Sequence, residues 1–228
     1  MGRWTGKIAS EIRCYEKHGD ALLVPRGFFP GVIRLARDYD EKYHVDNNQR
    51  TLSPVNFHFR GELRNYPKKA CRDVCNWDMG VLCAPTGSGK TIMALALITA
   101  RKQPALIICH KRELLYQWVD RVRAFLGIEA SIIGDGKKQI GESPVTVGMV
   151  QSLYKMAHEV SPHVGHLIVD ECHRAPSRIF TEAVTAFDAK YLLGLSATPY
   201  RRDGLTRLIY LYLGDRVHQV DPEHLRNI

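Results

Sequence analysis

Residues 84–91 read APTGSGKT, a run whose glycines, lysine and hydroxyl are spaced as a phosphate-holding loop requires. Gly87 and Gly89 let the backbone turn its N–H groups inward around phosphate oxygens at the start of a helix, where unpaired amides and the helix dipole favour an anion. Pro85, Thr86 and Ser88 complete the loop. Lys90 supplies a point charge for the β and γ phosphates, and the Thr91 hydroxyl can ligate Mg2+. Ala84 stands where such loops usually carry their first glycine. The bland alternative is a glycine-rich strand-to-helix turn with an incidental lysine. The apolar run MGVLCA before the loop and KTIMALALITARK after it supply the strand and helix that phosphate binding needs.

Two later segments have complementary chemistry. VDECHR, residues 169–174, closes the apolar run HLIVD and so sets a carboxylate at a buried strand's C-terminal end, where open α/β sheets bind their ligands. There Asp170 can hold Mg2+ through water, and Glu171 can orient and deprotonate an attacking water; in-line attack on a phosphoryl group needs mainly such positioning and charge neutralisation. An acidic pair on its own is usually solvated surface, and its strand-terminal position is what gives this one a catalytic meaning. LGLSATPYRRDG, residues 193–204, brings Ser196 and Thr198 to the end of another apolar strand, beside the loop that holds Asp170 and His173. Hydroxyls there can bond the acidic segment and report on the γ-phosphate. Standing alone, they would be read as a helix N-cap.

The elements that must position these residues alternate regularly from residue 79 onward. MGVLCA, ALIICH, EASIIG, VTVGMV, HLIVDE and KYLLGLSA are short runs rich in aliphatic and β-branched residues. KRELLYQWVDRVRAF places Leu114, Leu115, Trp118, Val122 and Phe125 on one helical face, with Arg112, Asp120 and Arg123 opposite. SRIFTEAVTAF repeats the pattern with Phe180, Ala183, Val184 and Phe187. Continuous apolar strands alternating with helices imply a parallel sheet covered on both faces, a three-layer α/β architecture. Residues 1–50 differ: an amphipathic stretch among polar connectors reads as an N-terminal accessory segment outside the sheet. Residues 47–49 are the expected linker, and the lobe itself is expected over 51–228.

Composition sets the outer bounds. The 228 residues are 45% hydrophobic and 25% charged, which suits one α/β domain with a small appendage. No apolar run approaches the ~20 residues that cross a bilayer, and the N-terminus has no secretory h-region, so no membrane partner and a cytoplasmic location are expected, nucleoid-associated, or nuclear in a eukaryote. Of six cysteines, Cys83, Cys109 and Cys172 lie in or beside buried strands, as structural thiols in a reducing compartment would. Cys71 and Cys75 have no partner pair with metal-ligand spacing. A net charge of +8 is compatible with a polyanionic partner and is weak evidence alone.

Taken in order, APTGSGKT, DECH and SATP resemble motifs I, II and III of superfamily 2 helicases. LIICHKRELLYQW, VGMVQSL and LSATPYRRDG are similar to the branch of XPB-like DNA helicases and type III restriction-type translocases, over roughly residues 60–215. The resemblance implies the first of two RecA-like lobes, with ATP and Mg2+ as cofactors and DNA, single-stranded or forked, as the partner. It implies strand-backbone contacts from His110, Lys111 and Arg112, and from the segment 149–153 through Gln151 and Ser152. Arg201 and Arg202 add positive charge on the same side, as a phosphate-tracking groove needs.

Two departures qualify the resemblance. Pro67 occupies the place of an adenine-reading glutamine and offers no side-chain donor or acceptor, which leaves stacking on Phe57, Phe59 or Tyr66. The stretch NFHF that holds both phenylalanines reads equally as an ordinary strand, the reading preferred here. The chain also ends soon after SATP without a second lobe. It is therefore expected to be a piece of a longer protein that binds nucleotide but hydrolyses it feebly, since arginine fingers from a second lobe contribute about 10³- to 10⁵-fold in rate in related phosphoryl transfer. Movement along a strand, which needs two lobes, is not expected of it. An RNA helicase lobe and a nucleotide-dependent nucleic-acid-binding module without motor activity remain as alternatives; a small-molecule kinase lacks an acceptor or lid signature. The accessory segment, with Arg26, Phe28, Phe29, Arg34 and Arg37, either reads forked or damaged DNA, as accessory domains of that branch do, or packs against the lobe.

Overall fold

The computed structural model describes residues 13–174, 178–198, 206–221 and 223. At the N-terminus a hairpin of β1 (Glu16–His18) and β2 (Ala21–Leu23) forms its own two-stranded sheet, followed by helix α1 (Phe29–Asp38). Irregular chain then leads to α2 (Asn65–Cys75). From there strands and helices alternate: β3 (Met79–Cys83), α3 (Lys90–Arg101), β4 (Ala105–Cys109), α4 (Arg112–Leu126), β5 (Ser131–Gly134), β6 (Lys137–Lys138), β7 (Val145–Met149), α5 (Val150–Val160) and β8 (His166–Val169). The described chain closes with α6 (Arg178–Thr185), β9 (Tyr191–Ser196), α7 (Thr206–Leu213) and β10 (Arg216–Gln219).

Among the described residues the main sheet has eight strands in the order β10-β3-β9-β8-β4-β7-β5-β6. Every neighbouring pair is parallel except β5 and β6, joined antiparallel at one edge. Side chains alternate across it with the period of two that strands impose. Leu82, Ile107, Ile168 and Leu193 enter a core closed by α2, α3 and α4. Val81, Cys83, Leu106 and Val169 enter a second core closed by α5, α6 and α7. The three-layer parallel architecture expected from the alternating runs is the one that forms, and no helix of the described residues is long and apolar enough to cross a membrane.

The departures from the expected elements have local causes. NFHF is not a strand: residues 51–64 carry no regular structure, and Phe57 and Phe59 alternate inward only because the segment lies extended over α4. Phe59 stacks on Phe125 at 6.0 Å between ring centroids, and the Arg60 amide donates to the Phe125 carbonyl. The buried stripe of α4 differs from the expected face. Leu115, Trp118, Val119, Val122 and Leu126 are buried, while Leu114 and Phe125 sit half-buried at its margin. Helices α5 and α7, strand β10 and the hairpin were not anticipated, because α5 follows β7 without any turn residues and the others are short.

The N-terminal segment divides in its contacts. Arg26 donates to the carbonyls of Ala189 and Lys190, the latter at 2.7 Å, and burial pulls its pKa down. Arg50 pairs with Asp188 at 2.8 Å and bridges to Ala189. By contrast Phe28, Phe29, Arg34 and Arg37 are exposed, and α1 buries none of its residues.

Candidate nucleotide and nucleic-acid site

The parallel register delivers the chemistry-bearing residues to one edge. Cys83, the last residue of β3, lies beside Ser196, and Val169 of β8 lies beside Gly194 of β9. Residues 84–91, Asp170 with Glu171, and Ser196 therefore leave the sheet at its C-terminal end on three adjacent strands.

In the loop, Gly87 and Gly89 take φ of 82° and 80°, the left-handed region that glycine adopts without cost, and a Cβ at either would meet open space. The space beside both glycines leaves the loop's backbone uncovered. The Ser88 hydroxyl is buried with no partner among the described residues. Twelve-residue α3 starts at Lys90, with Thr91 in its first turn. Lys90 Nζ donates to the carbonyls of Ala84 at 2.9 Å and Pro85 at 3.3 Å. Behind the loop, the Tyr66 hydroxyl donates to the Ser88 carbonyl at 3.0 Å. Pro67, in the first turn of α2, is buried; a proline is tolerated there because the missing N–H has no helical acceptor to serve.

Asp170 continues β8, its amide donating to the Ile108 carbonyl at 2.9 Å. Its two carboxylate oxygens each take one donor: Trp118 Nε1 at 2.8 Å on Oδ2, and the Glu171 amide at 2.9 Å on Oδ1. Glu171 sits at φ 50°, a left-handed conformation unusual for a residue with a side chain. His173 Nδ1 lies 3.2 Å from Glu171 Oε2 and 3.2 Å from Ser196 Oγ. The single Ser196 proton goes to the Thr198 carbonyl at 2.6 Å. Ser196 can therefore only accept from His173, which fixes the proton on Nδ1 and shares it between serine and glutamate. His173 thus contacts both the acidic segment and the SAT segment. Thr198 joins this network through its backbone, its amide donating to Ser196 Oγ at 3.2 Å, while the residue itself is exposed.

The phosphate-binding reading fits this geometry: an amide-lined helix start, two glycine-shaped turns and a buried hydroxyl lacking a protein partner. Magnesium fits as well, with Thr91 and Asp170 offering a hydroxyl and a carboxylate. Among the described residues no three His, Cys, Asp or Glu side chains converge, so a Mg2+ held here would complete its shell from phosphate oxygens and water. The nearby thiols are inert. Burial pushes Cys83 up to about 11 and Cys109 up to about 12; burial, then the neighbouring Cys83, Glu171 and Asp170, also raises Cys172 well above the ordinary thiol range.

The expected strand-contact residues occupy the other half of the same edge. Cys109 lies beside Met149, so His110, Lys111 and Arg112 after β4 adjoin Gln151 and Ser152 after β7. Lys111, Arg112 and Gln151 are exposed; His110 and Ser152 are half-buried. Arg201 and Arg202 lie outside the described residues. One residue of this half went unnoticed in the sequence. Asp135, at the turn between β5 and β6, accepts from Arg112 Nε at 2.8 Å and from the Tyr116 hydroxyl at 2.6 Å through a single oxygen. The Tyr116 bond, then Arg112, holds the Asp135 carboxyl below its ordinary value. The Gly-Asp-Gly turn signal was legible; its arginine partner, remote in sequence, was not.

A parallel sheet with a phosphate loop, an acidic pair and a serine-threonine segment along one edge, in this strand order, defines a RecA-like lobe of the superfamily 2 helicase type. The chain belongs to the family described as Type III restriction enzyme, res subunit, which it matches over residues 60–201. It is 34% identical to the DNA 3'-5' translocase XPB2 of Sulfurisphaera tokodaii over 164 residues, covering 72% of this chain and 37% of that protein. It is also 34% identical over 175 residues to "Probable helicase D10" of Escherichia phage T5, covering 75% of this chain and 38% of the relative. Among solved structures it resembles that of T4 UvsW, with a TM-score of 0.70 at 21% identity, over 93% of this chain and 48% of the other. The chain thus spans less than two-fifths of the length of these curated relatives.

Proposed function

We propose that this chain is the ATP-binding lobe of a DNA helicase or translocase, coupling ATP hydrolysis to movement on a strand when joined to a second RecA-like lobe. Residues 51–228 make up the lobe and residues 1–50 an accessory segment. The observation that carries this reading is that the loop, the acidic segment and the SAT segment leave one sheet edge on β3, β8 and β9, while the basic segments leave the adjoining β4 and β7. The name of the archaeal relative supports DNA as the polymer, and the relatives' greater length supports a second lobe.

In this reading Thr86, Gly87, Ser88 and Gly89 wrap the phosphates with backbone amides, Pro85 shapes the start of the loop without an N–H to donate, and Lys90 leaves its two carbonyls to neutralise the β and γ oxygens. Thr91 and Asp170 would hold magnesium, which would supply charge neutralisation at the phosphates; Glu171 aligns and deprotonates the attacking water, and His173 and Ser196 pass the state of the acidic segment to β9. Adenine is not read from position 67; Tyr66, fixed to the loop by its hydroxyl, offers an aromatic surface for stacking. Lys111, Arg112, Gln151 and Ser152, with Arg201 and Arg202, grip phosphodiesters without reading bases.

Titration with labelled single-stranded DNA at several salt concentrations tests the strand half. The expected result is a log–log slope of about −0.7 for each phosphate neutralised, reduced by about that amount in Lys111→Ala. A flat response would remove the strand-binding assignment, and tighter binding to RNA of the same sequence would redirect it to an RNA helicase lobe.

A further inference from the structure

Asp170 sits at the seam between the two halves, since β8 carries nucleotide chemistry and its neighbour β4 leads into the strand-contact segment. One side chain crosses that seam. Trp118, 2% exposed, stands within two turns of Arg112 on α4 and donates its indole N–H to Asp170 Oδ2 at 2.8 Å. An indole N–H donates and never accepts, so it can neither ligate a cation nor take a proton from the carboxylate. Its one action on Asp170 is to hold a charged oxygen in place. With the Glu171 amide on Oδ1, each oxygen is pinned by one neutral donor and keeps a further lone pair available.

We infer that Trp118 is a positioning residue for the magnesium-linked carboxylate, fixing Asp170 in the orientation that metal or metal-bound water requires and linking it to the helix that starts at Lys111 and Arg112. The inference rests on the nucleotide reading above, in which Asp170 serves Mg2+. Partners that orient a metal-linked group typically alter metal affinity 10- to 100-fold when removed. A buried tryptophan with a purely structural bond would instead change stability and leave the metal dependence alone.

The test follows binding of a fluorescent, non-hydrolysable ATP analogue to this chain while Mg2+ is titrated, in wild type and in Trp118→Phe, which keeps the aromatic bulk and deletes the donor. The expected result is a rise of about 10-fold or more in the Mg2+ concentration for half-maximal effect, with unchanged analogue affinity in EDTA. Identical Mg2+ dependence in the two proteins overturns the inference. A wild-type chain that binds the analogue equally well with and without Mg2+ overturns the nucleotide reading of Asp170 itself, a separate failure. Should Trp118→Phe not fold, the wild-type indole signals in a 15N-correlated spectrum decide, assigned through Trp4→Phe and Trp77→Phe. The Trp118 signal is expected to move when Mg2+ is added to the analogue-saturated chain while that of Trp77 stays still; a Trp118 signal that does not move overturns the inference.

Discussion

Arg112 and Asp135 set the terms for the strand half of the site. The guanidinium that is proposed to meet a phosphodiester is already engaged by a carboxylate that the Tyr116 hydroxyl also holds. A surface pair of this kind is weak enough for a polyanion to displace it. Asp135→Asn removes the competing charge and suits the left-handed backbone at φ 52°, which asparagine also tolerates. The expected outcome is several-fold tighter single-stranded DNA binding at low salt, with the gain shrinking as salt rises; weaker binding would mean that Asp135 presents Arg112 rather than masks it. The sequence disclosed these residues unevenly. Lys90, Thr91, Asp170 and Glu171 were legible because loop chemistry and strand ends constrain them locally. Trp118 read as core, which it is, and nothing local announces that its N–H reaches Asp170. Tyr66 stood out as an aromatic beside Pro67, but its hydroxyl bond to the loop depends on the packing of α2 against α3.

Elements were legible where periodicity is long and pure. Strands β3, β4, β7, β8 and β9 are buried on both faces and read as unbroken apolar runs, and α3 and α4 are long enough to show their period. Short elements and the extended segment 51–64 escaped or misled, since Phe57 and Phe59 alternate like a strand without pairing in the sheet. Strand β9 shows how closely elements are fitted around the site. A Cβ at Gly194 would stand 2.9 Å from Leu213 Cδ1 and 3.1 Å from Cys172 Sγ, so glycine lets α7 and the turn after Glu171 close onto the sheet. Gly194→Ala is expected to cost about 1–3 kcal/mol in urea denaturation through overpacking. It should also loosen the turn that holds Glu171 and His173. An unchanged midpoint would show that this contact is slack.

At the scale of the whole molecule, the sheet's two ends do different work. The C-terminal edge carries the candidate site; the N-terminal edge carries the buried His166, whose Nε2 accepts from the half-buried Arg101 at 2.8 Å, and Arg101 lies over the Tyr191 ring at 4.6 Å. Full burial, then the Arg101 charge, keeps His166 neutral well below the ordinary histidine range. Unfolded chain gains a proton near pH 6.5 that the folded protein refuses, so this contribution to stability is intact above that pH and is lost as pH falls below it. The loss approaches ~1.4 kcal/mol per pH unit at its steepest. His166→Gln, which keeps an acceptor for Arg101, is expected to lose less stability than wild type between pH 7.5 and 5.5; equal losses would place the acid sensitivity elsewhere.

The proposed function requires residues 84–91 to hold the phosphates of a nucleotide, and thermal unfolding with a non-hydrolysable ATP analogue and Mg2+ measures this most directly. At about 100 times its Kd the ligand should stabilise wild type by about 2.7 kcal/mol, a rise in Tm of roughly 5–10 °C for a chain of this size. Lys90→Ala should show almost none of that rise. Equal stabilisation of both proteins would contradict the assignment.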